Sequence, residues 1–259
     1  MTAVAYSSDE TGPVAGRVAL ITGGTRKIGR AIALWLARAG YSLVLLSRQR
    51  DAAAEETLAL LEALGAPALH LAADVTVEAA VQAAVGSAVA RFGRVDCVVH
   101  GASVRGHASL AEMSYGQWRE VLATNLDAAY LCARAALPHF PAAGGRIVFL
   151  TGTAAVLGMA QRAHVGAAKA GLAGLARALA TELAPRRITV NCVSPGVIDT
   201  SGAAPGAPLP AALRQQVRIP ADRLGHPDEI ASAVAWLVSE SGGYVTGQEI
   251  HVNGGMFYG

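Results

Sequence analysis

The sequence predicts a doubly wound parallel α/β sheet of about seven strands flanked by helices. Three observations carry that reading. Short β-type runs alternate with helix-spaced apolar stretches along the whole chain. Composition is 53% hydrophobic and only 15% charged, with aromatics at 5%, which suits a sheet buried on both faces under small-residue helices. The first β run leads directly into a glycine-rich turn and a helix, the order that lets a backbone meet a phosphate.

The elements follow in order. Residues 17–22 (RVALIT) form a β run, GGTRKIG turns the chain, and AIALWLARAG is apolar at helical spacing and ends on Gly40. A strand at 41–47 (YSLVLLS) precedes a helix over 51–64, and a strand at 68–74 (ALHLAAD) precedes a helix over 77–92. VDCVVHGAS, 95–103, is a strand running into a small-residue turn, and a loop with Met113 and Trp118 leads into a long helix, 115–137. The strand GGRIVFLTGT, 144–153, is followed by an Ala-rich helix, 168–184, and the strand ITVNCVSPG, 188–196, is stopped by Pro195 and Gly196. Residues 199–221 are rich in Pro, Ala and Gly and read as a loop or short helices. HPDEIASAVAWLVS, 226–239, is a helix with an acidic first turn, and YVTGQEIHVNGG, 244–255, closes as a strand. The length of 259 residues suits one domain over 16–259 behind a flexible tail, 1–15. No fixed-period repeat is present.

The bulk numbers exclude several classes. A formal charge of +2 gives no basic footprint for nucleic acid. Cys97, Cys132 and Cys192 lie in apolar contexts without metal-type spacing, so no metal site is expected, and they read as core residues in a reducing compartment. No run reaches the ~18 apolar residues of a membrane helix, and the first residues lack a signal peptide's charged and apolar regions. A cytoplasmic protein is the expectation.

The phosphate end is more specific. Strand, glycine turn and helix in that order make a Rossmann-type dinucleotide site, with the pyrophosphate on the helix N-terminus. The second strand ends in Ser47-Arg48 with Arg50 close behind. An acidic residue there would bind the adenosine ribose hydroxyls, whereas a cation attracts a 2′-phosphate. Arg48, helped by Arg26 and Lys27, therefore argues for NADPH over NADH, although an arginine at a strand end also suits plain solvation. Asp74, at the end of the third strand, is placed to meet the adenine edge.

From residue 16 to 256 the chain resembles the short-chain dehydrogenase/reductase family. TGGTRKIG looks like that family's TGxxxGxG turn, DVT at 74–76 like its adenine-site motif, and HGAS at 100–103 stands where NNAG is usual. Asn125 in ATNLDA, Lys169 and SPGVIDT at 194–200 match further motifs, as does the last third of the chain. The resemblance implies cofactor contacts from Gly23, Thr25, Arg26, Lys27, Ile28, Gly29, Arg48, Asp74, Val75, Gly101, Ala102, Lys169, Pro195, Gly196, Val197, Ile198 and Thr200. It implies that Lys169 holds the nicotinamide ribose and that Asn125 supports a water chain behind it. Lys27, where the turn usually has a glycine, and the ending of HGAS are similar to the pteridine-reductase branch.

The departures lie at the chemistry. The family's tyrosine falls four residues before the lysine, which is Val165, and its serine falls at Gly152. A lost general acid costs ~10²–10⁴ in rate. Three readings follow: hydride transfer to a C=N, an activated C=C, a pterin ring or a carbonyl with the proton taken elsewhere; a non-redox enzyme; or a non-catalytic NADPH-binding scaffold. Thr151 and Thr153 are candidate hydrogen-bond donors, though β-branched residues also simply suit a strand end. His164 is a candidate acid, though its neighbour Val165 points elsewhere on a helix.

The resemblance implies pairing of the helices around 115–137 and 168–184 between subunits, hence a homotetramer, with a dimer second. The substrate pocket is expected from residues after Ser103, from 154–164 and from 199–221, small and apolar apart from Arg105, His107, Met159, Gln161 and Arg162. That composition hints at a modest, mostly uncharged small molecule.

Overall fold

The computed structural model describes residues 16–202 and 218–259. The tail 1–15 and most of the segment 199–221 lie outside the described residues. Seven parallel strands form one sheet in the order β3-β2-β1-β4-β5-β6-β7. They are β1 (Val18–Thr22), β2 (Ser42–Ser47), β3 (Ala68–Ala72), β4 (Cys97–His100), β5 (Gly145–Leu150), β6 (Ile188–Pro195) and β7 (Glu249–Val252). The expected doubly wound sheet is what forms.

The helices are α1 (Lys27–Arg38), α2 (Ala52–Ala63), α3 (Glu78–Phe92), α4 (Tyr115–Leu122), α5 (Ala128–Ala136), α6 (Ala154–Leu157), α7 (Ala163–Leu183) and α8 (Pro227–Val238). Alternation along each strand sorts the core into two layers. Val18, Leu20, Val98, Ile147 and Phe149 face α3, α5 and α7. Ala19, Ile21, Val99, Val148 and Val193 face α1 and α8. Alanines on the buried stripes of α5 and α7 let those helices approach the sheet closely.

Three differences from the sequence reading bear on function. The expected helix 115–137 is interrupted by a π-helical turn, Ala123–Asp127, which carries Asn125; such bulges re-aim one residue and gather at functional sites. The helix expected from 168 begins at Ala163, because His164, Val165, Ala168 and Lys169 continue one buried stripe that Gly166 obscures in the sequence. A short helix, α6, precedes it, started by Thr153 and stopped at Gly158 with φ +67°. Strand order reverses between β1 and β4, so the crevice beyond Thr22 and His100 is where an open α/β sheet receives a ligand.

Candidate active site

Beyond β1 the chain turns through Gly23, at φ +69°. A Cβ there would lie 3.0 Å from the Ala102 nitrogen, and a Cβ on Gly29 would lie 2.0 Å from the Gly23 carbonyl. The turn is thus drawn tight against both β4 and α1. The hydroxyl of Thr22 holds it, accepting from the backbone N–H of Gly101 and Ala102 at 3.1 Å each and meeting His100 Nδ1 at 3.0 Å. Burial, then the Lys169 cation, pushes His100 down to about 3, so that imidazole is neutral. Thr25 is buried, and no side chain caps the first turn of α1. Its backbone N–H groups therefore remain available to a phosphate.

The cations at this end separate into engaged and free. Arg26 pairs with Asp51, the N-cap of α2, and Arg50 pairs with Glu55 at 2.6 Å. Lys27, at φ +53°, and Arg48 are exposed and make no ion pair among the described residues. Arg48 lies close enough to Asp74 to help lower its pKa, behind the larger effect of two hydrogen bonds from Thr76. Val75 is buried beside it. Across the crevice, Pro195 ends β6, Gly196 N donates to Val252 O at 3.0 Å, and Ile198 pairs with Gly225 in a short parallel bridge. Val197 O accepts from Gly225 N, while Thr200 is exposed. A Cβ on Gly196 would meet the Asn253 backbone at 2.7 Å, so this turn also lies hard against the sheet end.

Lys169 sits on the buried stripe of α7, 6% exposed, and its Nζ donates to the Leu150 carbonyl at 2.6 Å. Burial, then the nearby Arg105 guanidinium, lowers its pKa to about 8. One turn earlier, Val165 is 4% exposed and packs with Val104, Val121, Leu126 and Ala154 in a small apolar cluster. Asn125 clamps the same loop, accepting from Val104 N at 2.7 Å and donating to Val104 O at 3.0 Å. Its carboxamide therefore positions the loop that carries Arg105. The Thr151 hydroxyl faces Glu249 Oε1 at 2.6 Å and Val193 O at 3.2 Å, which engages it with the sheet. Thr153 is buried, with its backbone N–H on Pro195 O. Gly152 has φ +150°. His164 is 1% exposed with Nδ1 unpartnered, and its Nε2 is 2.7 Å from where a Gly106 Cβ would stand.

Three participants were not found from sequence. Leu150 acts through its carbonyl, Glu249 through a contact from the far edge of the sheet, and Thr22 through a bond across two strands. No local pattern encodes any of them.

A sequence profile described as enoyl-(acyl carrier protein) reductase matches residues 23–257. The chain belongs to the short-chain dehydrogenase/reductase family. It is 37% identical over 249 residues to a 3-oxoacyl-(acyl-carrier-protein) reductase of Salmonella typhimurium, covering 93% of this chain and 98% of that one. It is 38% identical over 245 residues to the protein of the same name from Pseudomonas aeruginosa, at 93% and 98% coverage. Among solved structures, a dehydrogenase/reductase from Sinorhizobium meliloti 1021 superposes with TM-score 0.86 at 33% identity, covering 95% of this chain and 96% of that chain. A short-chain dehydrogenase/reductase from Serratia marcescens gives TM-score 0.86 at 32% identity, with 95% and 99% covered. The chain is thus an oxidoreductase of the short-chain dehydrogenase/reductase type. Among the described residues no helix is long and apolar enough to cross a membrane, and no group of three potential ligands could hold a metal.

Proposed function

We propose that this chain is an NADPH-dependent reductase of a small organic substrate, a carbonyl, C=N or activated C=C, in which no tyrosine supplies the proton. The carrying observation is Lys169: a buried ammonium on an otherwise apolar stripe, one turn after a valine and at the mouth of the crevice. A buried cation with only one carbonyl for a partner is costly unless a ligand completes its surroundings. NADPH, when bound, supplies the hydride. The protein's own groups do the rest. The first-turn N–H groups of α1 and the tight Gly23 turn would hold the pyrophosphate, and Arg48 with Lys27 would take the 2′-phosphate. Lys169 would donate to the nicotinamide ribose hydroxyls and would hold a proton at Nζ. Thr153 and His164 are the further buried candidates for a proton donor, while Thr151 is engaged with Glu249.

The curated relatives are named as reductases of a 3-oxoacyl group, which supports a carbonyl as the first substrate to try. A glycine at 152 and a valine at 165 make the site atypical, and Lys27 with HGAS supports a place near the pteridine-reductase branch. Residues 16–259 are read as a single dinucleotide-binding domain, assembled as a homotetramer with a dimer as the second choice, in the cytoplasm. The packed cluster around Val165 favours one second reading, an NADPH-binding scaffold without turnover. Calorimetry with NADPH and NADH, followed by NADPH oxidation against ketones, imines, pterins and activated alkenes, tests both. Uptake with turnover of any class is expected. Uptake without turnover favours the scaffold, and no uptake of either cofactor by folded protein overturns the proposal.

A further inference from the structure

The loop after β4 and the segment before α7 run side by side. Ala108 N donates to Gln161 O at 3.0 Å, Arg162 Nη2 meets His107 Nε2 at 2.5 Å, and the His164 ring abuts Gly106. Asn125 fixes the start of the loop at Val104, which presents Arg105 toward Lys169. Five nitrogen-bearing side chains thus gather at one mouth: Arg105, His107, Arg162, His164 and Lys169.

No acid among the described residues forms an ion pair with them. Residues 97–111 and 128–181 contain no aspartate or glutamate. The neighbouring carboxylates are otherwise engaged, Glu112 with Ser109 at 2.6 Å and Glu249 with Thr151. Arg105 makes no hydrogen bond or ion pair among the described residues, and two buried nitrogens stand unpartnered, Arg162 Nε and His164 Nδ1. The site also opens on the uncapped first turn of the 21-residue α7, whose backbone N–H groups favour negative charge. Arg105 and Lys169 are cations close enough to disfavour each other, an arrangement that becomes favourable once an anion enters.

We propose that this mouth holds a carboxylate carried by the substrate, gripped by Arg105 and Arg162, so that the molecule reduced is an oxo acid rather than a neutral carbonyl compound. This rests on the reductase reading and replaces the mostly uncharged ligand suggested by composition. A planar guanidinium matches a carboxylate through two parallel hydrogen bonds. The grip on one end of the substrate would fix the distance of its carbonyl from Lys169.

The test uses the full-length protein with pyruvate, acetoacetate and levulinate, each against its methyl ester. Binding is read by ligand-observed NMR, with and without saturating NADPH. At least one acid should bind about tenfold or more tightly than its ester. That preference should vanish in Arg105→Ala and in Arg162→Ala, with Arg105→Gln and Arg162→Gln as variants that keep the side-chain bulk. Affinity for NADPH should change less than about twofold. The inference is overturned if no acid outcompetes its ester or if the preference survives in both arginine variants. Loss of NADPH affinity by the same factor also overturns it, because the anion is then the cofactor's own phosphate. Acid preference without NADPH oxidation would sink only the reductase reading. Reduction of neutral compounds without acid preference would sink only this one.

Discussion

Replacing Lys169 with methionine should make the protein more stable and less active at once. At neutral pH the charged amine is held in a site that lowers its pKa from 10.5 to about 8, a difference worth about 3 kcal/mol against the ammonium. Methionine fills nearly the same volume without charge. It forfeits the bond to the Leu150 carbonyl, at ~1 kcal/mol. The balance is a gain of about 2 kcal/mol at pH 7, or roughly 4–8 °C in Tm for a chain of this size. The sign reverses with pH. The folded protein binds fewer protons at this site than the unfolded chain between about 8 and 10.5, so wild-type stability rises across that window. Above 10.5 the amine is neutral in both states, the desolvation penalty is gone, and the lost bond to Leu150 leaves methionine the less stable by about 1 kcal/mol. Urea unfolding of both proteins at pH 7 and at pH 10.5, with NADPH oxidation measured alongside, reads all of this. Reductase activity should fall ~10²–10⁴-fold if Nζ carries the reacting proton. A variant less stable than wild type at pH 7, or a stability gap equal at the two pH values, refutes the account of Lys169 as a desolvated charge.

The remaining expectations concern single contacts. Arg48→Ala should weaken NADPH about 10–100-fold by calorimetry and leave NADH unchanged, since only a 2′-phosphate meets that guanidinium; equal losses for both cofactors would disprove the assignment. Gly29→Ala forces a methyl to within 2.0 Å of the Gly23 carbonyl, so NADPH uptake should drop by at least about tenfold, and unchanged affinity would show that the turn yields. Val165→Tyr should raise ketone reduction at ~1–3 kcal/mol of stability lost to overpacking in the apolar cluster. Adding Gly152→Ser should cost ~1 kcal/mol or more again, because φ is +150° there; a double variant as stable as the single one would count against that strain. Lys169→Arg keeps a cation with a pKa above ~12, so it should retain NADPH while losing turnover, and full turnover would show that Nζ gives up no proton.

Periodicity exposed the sheet because every central strand is buried on both faces and every crossing helix keeps an apolar stripe. Val18 to Thr22 and Lys27 to Arg38 differ in period, and no tertiary contact is needed to tell them apart. The ends were less legible. The start of α7 was missed because Gly166 and His164 look like a loop until the stripe through Val165 and Lys169 is seen in three dimensions. The π turn at Asn125 has no local signal in the sequence, and the partner of its carboxamide is the Val104 backbone, 21 residues away. The proposed cofactor end rests on local chemistry, a turn plus an arginine. The proposed substrate end does not, because the loop carrying Arg105 and the segment carrying Arg162 come side by side only through tertiary packing.

The same contrast bears on whether the site works. Most of this chain is consistent at every level, with propensity, pattern and packing in agreement. Several of the conflicts gather in one place: a buried ammonium, a free guanidinium beside it and an orphaned imidazole nitrogen. A scaffold that only binds partners has no physical use for these. Its α7 would be more stable with an apolar residue at 169, and its loop after β4 with an acid opposite Arg105. A bound anion would answer the guanidinium and the ribose hydroxyls of a dinucleotide would answer the ammonium, so the cluster favours a site that takes up ligand. On the proposed reading, a valine at 165 bears on where the proton comes from and not on whether cofactor and substrate bind.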